Sequence, residues 1–312
     1  MHRITRRALV RGSGALVAGT ALGAALSAES RSRPARPASP GADPRPLKLA
    51  VKAGMVQVEG SLADKLALLR DLGYDGIELD SPGGPDPAEV ARARAASGLP
   101  VHGVVDSIHW NVRLSDPDAD VRERAVAGLE TAVRDAHAYG GSSVLLVPGR
   151  VADPEKENQQ QVWERSIAGI RRVLPVAAEL GIHILIENVW NGFCYVHEGP
   201  ADQSADELAR YLDAIASPWV GAYLDLGNHC KYGVVEQWVR TLGRRIVKLD
   251  VKDWSRASGW SKIGDGDVNW PAVREALAEI HFTGWCTAEV DGGGEERLRD
   301  IRERMGRVLL GE

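Results

Sequence analysis

Four segments of this chain read as short apolar strands that end in a carboxylate. In 182–190, IHILIENVW, Ile182, Ile184 and Ile186 share one face by the strand period of two, and His183, Leu185 and Glu187 share the other. Asp225 ends a second such run (220–228), Asp250 stands in a third (246–254) and Glu289 in a fourth (284–290). A charge at the end of an apolar strand is costly unless a cation compensates it. Four on adjacent inward faces would repel strongly, and a divalent ion answers that repulsion. Neither histidine nor thiolate is in the set, so the oxygen donors favour Mn²⁺ or Mg²⁺ over zinc. The competing reading is a salt-bridge network neutralised by Lys248, Lys252 and the arginines.

Convergence of the acids requires parallel strands in register. Strand-like and helix-like segments alternate eight times from residue 47 onward, with no hairpin signal between them. The first strands are read at 47–56, 75–80, 100–107 and 142–149. Helix starts are read at Ser61 with Asp64, Asp86-Pro87 with Glu89, Asp116-Pro117, and Ser204 with Glu207. Pro175 is expected to kink the fourth helix. No glycine fingerprint follows the first strand, which excludes an open dinucleotide-binding sheet and leaves a single-domain α/β protein, a (β/α)8 TIM barrel. In such barrels chemistry sits at the C-terminal ends of the strands, where the four acids fall. Equal depth from each strand start is expected to bring them to equal height.

The rim should carry further polar and aromatic groups. Glu78 and Asp80 end the second strand on the inward parity, and His109 and Trp110 follow the third. Trp190, Trp254 and Trp260 follow later strand ends, where they either stack on sugar faces or pack under loops. Arg256 or Lys262 could meet an anionic group. The DGGG stretch (291–294) is read as a connector rather than a phosphate cradle.

Thr5-Arg6-Arg7 followed by the apolar run Ala15–Leu26 reads as a twin-arginine signal peptide (1–28), too short and Gly/Ala-rich for a membrane span. A disordered linker follows (29–46), then the barrel (47–312). Export to the periplasm or the extracellular space is expected, without stable membrane insertion after cleavage. A formal net charge of −5, mixed in sign, gives no footprint for nucleic acid. Three cysteines exclude a disulfide scaffold, and free thiols are expected of Cys194, Cys230 and Cys286.

IEN (186–188), YLDLGN (223–228), VKLDVKD (247–253), GDGDVNW (264–270) and GWCTAE (284–289) together resemble the xylose isomerase-like barrels. That group includes ketose 3-epimerases, hydroxypyruvate isomerase and inosose dehydratase. The resemblance implies one divalent ion on Glu187, Asp225, Asp250 and Glu289, with Glu187 and Glu289 also the catalytic acid–base pair. It departs at Asp250, where many relatives carry histidine, and at Asn228, where ketose 3-epimerases do. The implied activity is isomerisation or epimerisation of an unphosphorylated keto-sugar by proton abstraction beside its carbonyl. The alternative is a lyase or dehydratase eliminating from a 3-keto-glycoside or inosose through the same enolate. Glu78, His109, Trp110, Trp190, Asn228, Lys252 and Arg256 form the expected substrate-binding set. A metal-dependent nuclease and a non-catalytic sugar-binding barrel are the readings of other classes, and a homo-oligomer is left open.

Overall fold

The computed structural model describes residues 46–312. The twin-arginine signal, and the linker but for Pro46, lie outside the described residues. Eight parallel strands close into a barrel: β1 (Leu47–Lys52), β2 (Gly76–Ser81), β3 (Val101–Asp106), β4 (Ser143–Leu146), β5 (His183–Glu187), β6 (Val220–Asp225), β7 (Ile246–Val251) and β10 (Gly284–Ala288). Around the barrel the order is β1-β10-β7-β6-β5-β4-β3-β2. The two remaining strands, β8 (Asp253–Ser255) and β9 (Gly259–Ser261), pair antiparallel in the loop after β7. The expectation of no hairpin is thus corrected. Three-residue strands around Arg256–Ser258 carry too little alternation to announce themselves.

Strand parity explains the layering. Leu49, Val51, Ile77, Leu79, Ile184, Ile186, Leu224 and Leu249 turn outward into the main core shared with the helices. Leu145, Leu185 and Tyr223 form a separate small cluster inside the barrel. Helices seat as their caps direct. In α1 (Leu62–Asp71), Ser61 and Asp64 form a reciprocal capping box. In α2 (Pro87–Ser97), Asp86 Oδ1 accepts from the backbone N–H of Ala88 and Glu89, and Gly98 ends the helix at φ +74°.

Two helix starts differ from expectation. Helix α3 (Ala119–Ala138) opens on Asp118 rather than Asp116, because the Asp118 side chain accepts from the Asp120 N–H two residues later. Helix α5 (Asp206–Ile215) begins at Ala205 without a side-chain cap, since Ser204 Oγ donates to Asp206 at 2.7 Å instead of boxing with Glu207. Helix α4 (Gln159–Leu180) runs unbroken through Pro175. The last helices are α6 (Val235–Leu242), α7 (Trp270–Glu279) and α8 (Glu295–Met305). All three cysteines are free. No helix among the described residues is long and apolar enough to cross a membrane.

Candidate active site

Glu187 ends β5, Asp225 ends β6, Asp250 stands in β7, and Glu289 follows β10 by one residue. One carboxylate oxygen from each lies within 4.8 Å of the others. Each stands fifth or sixth from its strand start, as equal depth requires, although their register in the ladder is offset. In the ladder Glu187 pairs with Tyr223, Asp225 with Asp250, and Asp250 with Thr287, two residues before Glu289. Strand tilt in a closed barrel turns that staggered register into a common layer.

Each acid is oriented by its own loop. Asp225 Oδ1 accepts from the backbone N–H of Gly227 and Asn228 (2.8 and 2.6 Å), which turns Oδ2 toward the barrel axis. The buried Asn188 side chain clamps the Asp225 backbone through both its N–H and C=O. Asn228 Nδ2 donates to Glu187 Oε1 at 3.3 Å. Asp225, Asp250 and Glu187 are buried, while the Glu289 side chain keeps 31% of its surface exposed.

Two lysines reach into the cluster. Lys52 Nζ lies 2.9 Å from Asp250 Oδ2 and 3.1 Å from Glu289 Oε1, and Lys252 Nζ lies 3.1 Å from Asp225 Oδ2 and against Glu289 Oε2. Part of the expected salt-bridge network therefore exists, built on Lys52 and Lys252 rather than on Lys248 or an arginine. It leaves charge uncompensated. Counting Glu78 beneath the cluster, five carboxylates face three ammonium groups (Lys52, Lys248, Lys252), a formal excess of two negative charges. Asp250 Oδ1 is buried with no hydrogen-bond partner, and Asp225 Oδ2 and Glu289 Oε2 accept no well-directed hydrogen bond beyond their ion pairs with Lys252. Burial raises the Glu187 carboxyl, with the Glu289 charge adding to it, and raises that of Asp250 as well, despite Lys52. Burial acts on Glu289 in the same sense, but Lys52 and Lys252 together outweigh it and lower its carboxyl.

Below the acids a hydrogen-bond chain crosses the barrel. The pairing of β2 with β3 slips between Ile77/Val101 and Glu78/Gly103, so His102 is an extra residue and turns inward beside Gly103. Lys248 Nζ donates to His102 O (2.7 Å) and meets its Nδ1 (2.9 Å). An ammonium only donates, so Nδ1 accepts and the proton sits on Nε2. From there His102 donates to Thr287 Oγ1, Thr287 to Tyr223, and Tyr223 to Glu78 Oε2 at 3.3 Å. Glu78 in turn lies 4.0 Å from Lys52.

A cavity of about 340 Å³ opens above the acids, lined among others by Lys52, Asp106, His109, Trp110, Glu187 and Glu289. Trp190, Asn228 and Lys252 also line it. Two residues of the expected substrate-binding set, Glu78 and Arg256, are not among its lining. Glu78 is fully buried under the floor, held by Tyr223, and Arg256 lies on the outer side of the hairpin, over Trp254 and against Lys231 O. Trp254 is buried against Trp190, and Asp253 anchors the hairpin by accepting from Gly264, Val268 and the Trp270 indole. The DGGG connector packs flat. Gly293 N–H is spent on Met55 O, and a side chain at Gly292 would meet Met55 backbone at 2.2 Å. Sequence reasoning missed Lys52 and Asp106. Both end apolar strand runs on a charge, the same signal that marked the four acids.

The chain is similar to a D-psicose 3-epimerase of Ruminiclostridium cellulolyticum, 26% identical over 182 residues, which is 56% of this chain and 58% of that protein. It thus spans under two thirds of that relative's length. Among solved structures, an L-ribulose 3-epimerase superposes with a TM-score of 0.70 at 18% identity, covering 85% of this chain and 95% of the other. The 3-keto-D-glucoside 4-epimerase YcjR from E. coli does so at 0.69 and 15% identity, covering 84% and 98%. These likenesses establish the fold, and the relatives so named are sugar epimerases. Since the xylose isomerase-like TIM barrel model matches residues 66–308, most of the barrel and all four acids, the chain belongs to that family.

Proposed function

We propose that this protein is a divalent-metal-dependent isomerase or epimerase that moves a proton beside the carbonyl of an unphosphorylated keto-sugar. The observation that carries the reading is the layer of four carboxylate oxygens within 4.8 Å of one another, two of whose acids, Glu187 and Glu289, line the cavity. Buried oxygens without well-directed hydrogen bonds and a formal excess of two negative charges suit one hard divalent cation, Mn²⁺ or Mg²⁺, held by Glu187, Asp225, Asp250 and Glu289. When bound, such an ion supplies stabilisation for negative charge growing on the sugar's carbonyl oxygen. That help is needed. A positioned general base contributes roughly 10²–10⁴-fold, about 3–5 kcal/mol, against the ~8–23 kcal/mol by which enzymes lower barriers.

Glu187 and Glu289 rise from separate staves and both line the cavity, so one can take the proton and the other return it. Asn228, donating to Glu187, holds that carboxyl in place. Val189 and Leu145 keep part of the wall dry, which strengthens each polar contact within. Absence of phosphate from the substrate is supported by the lining. Its two lysines already hold carboxylates, and no arginine is among the lining residues. Export by the twin-arginine route, read from Arg6 and Arg7, belongs to this proposal, placing the reaction in the periplasm or outside the cell.

The test is turnover of ketohexoses and keto-glycosides in D₂O followed by NMR. Isomerisation or epimerisation predicts solvent deuterium at a retained carbon, with Glu187→Gln slowing turnover by about 10²–10⁴-fold. Loss of water or aglycone would replace the isomerase reading with elimination. Conversion without solvent exchange, undiminished in Glu187→Gln, would end both.

A further inference from the structure

Three large apolar side chains are exposed among the described residues, Trp110, Val196 and Trp260, and the two tryptophans line the same cavity. Trp110 follows β3 and is 45% exposed; Trp260 stands in β9, in the loop after β7, and is 53% exposed. In the barrel order β3 and β7 are four staves apart out of eight, so the tryptophans rise from opposite sides of the mouth. Each is braced from behind. Trp260 stacks on Trp190 at 4.9 Å and 24°, and Trp190 is itself pinned by its indole N–H to Asn228 O and edged by Trp254 and Tyr232. Trp110 sets its edge against the buried ring of His109 at 5.5 Å.

An apolar surface held rigid and left bare at a polar cavity marks a binding face, and indoles suit the flat apolar faces of sugar rings. Glu187 is only 6% exposed, so both indoles stand nearer the solvent than the reacting acids, and Lys252, paired with Glu289, lies between that acid and Trp260, its Nζ 5.5 Å from the ring. We infer that the substrate carries a second ring, that it is a glycoside of the disaccharide type, and that Trp260 on its Trp190 backing is the platform for the distal ring, with Trp110 opposite. The site so assigned rests on the proposed reaction for the position of the first ring, and names what the rest of the cavity holds.

Kinetics on two probes with the same reacting ring separate the possibilities. These are a 3-keto-gluco-disaccharide and the corresponding methyl 3-keto-glucoside. Wild type should favour the disaccharide in kcat/KM. Trp260→Ala should raise KM for it by about tenfold, while changing that for the methyl glycoside by less than about threefold, and Trp260→Phe should restore most of the difference. Equal effects on both probes, or none on either, would overturn the platform. Should wild type convert neither probe, the proposed reaction has failed and the platform is read separately. Tryptophan quenching by the unoxidised disaccharide should then be about tenfold tighter than by methyl glucoside, and that advantage should vanish in Trp260→Ala. A wild type that sediments as a dimer and a Trp260→Ala that sediments as a monomer would assign the indole to a second copy and overturn the inference.

Discussion

Asp106 ends β3 with its carboxyl buried against the cavity, accepting one backbone N–H, from Ile108 at 3.3 Å. Burial pushes its pKa up to about 7, far above the value of ~3.9 in an unfolded chain. Between those values the folded protein holds a proton that the unfolded chain has released. Stability therefore falls as pH rises from about 4 to about 7, and the cost stays constant above that. Asp106→Asn keeps the Ile108 acceptor and removes the charge. Its gain over wild type should be near zero at pH 4 and reach up to about 4 kcal/mol at pH 8, read from denaturant titrations at both pH values. A gain independent of pH would show the carboxyl to be ordinary. At this scale the acids were legible, because parity and an apolar run ending on a charge are properties of the chain alone. Lys52 obeyed the same rule in LKLAVK, but a lysine after a strand looks like a solvated end until opposing acids are known to surround it. His102 was not legible at all, since its inward turn depends on a slipped pairing with β2 that no local pattern announces.

Helices seat the strands through their caps, and α2 shows the energetic weight of one side chain. Asp86 Oδ1 satisfies two N–H groups that would otherwise meet only water, with Pro87 preset in the first turn. Asp86→Ala should cost about 1 kcal/mol and lower the melting temperature by roughly 2–4 °C, with turnover per folded molecule unchanged. A drop beyond about 2 kcal/mol would mean that Asp86 supports more than its helix. Alternation of strands and helices was legible throughout, as were the starts of α1 and α2, because a capping side chain and its N–H partners lie within four residues. The starts of α3 and α5 were misplaced by one or two residues where several acids or hydroxyls competed for the same N–H groups. Pairing of β8 with β9 was invisible for a different reason. Asp253 fixes that hairpin through donors 11 to 17 residues away, a tertiary arrangement with no local period.

Over the whole molecule, the formal excess of negative charge at the barrel's axis means that the proposed cation would add stability as well as activity. At a concentration one hundred times its dissociation constant, an ion bound only by the folded state adds about 2.7 kcal/mol. Mn²⁺ added to chelator-stripped protein should raise the melting temperature by roughly 5–10 °C, and the rise should be lost in Asp225→Asn. An unchanged melting curve would remove the cation from the account and leave Lys52 and Lys252 to balance the acids alone. The hairpin bears on the molecule's prospects in another way. Its base is knotted to the frame by one aspartate, whereas its tip, Arg256–Ser258, is exposed and joins nothing across the barrel. Lengthening or rewriting the tip should cost little, because closure entropy grows slowly with loop length. The mouth of the proposed site could then be retailored by exchanging only the tip between the paired strands, leaving Asp253, Trp260 and the four acids as they are.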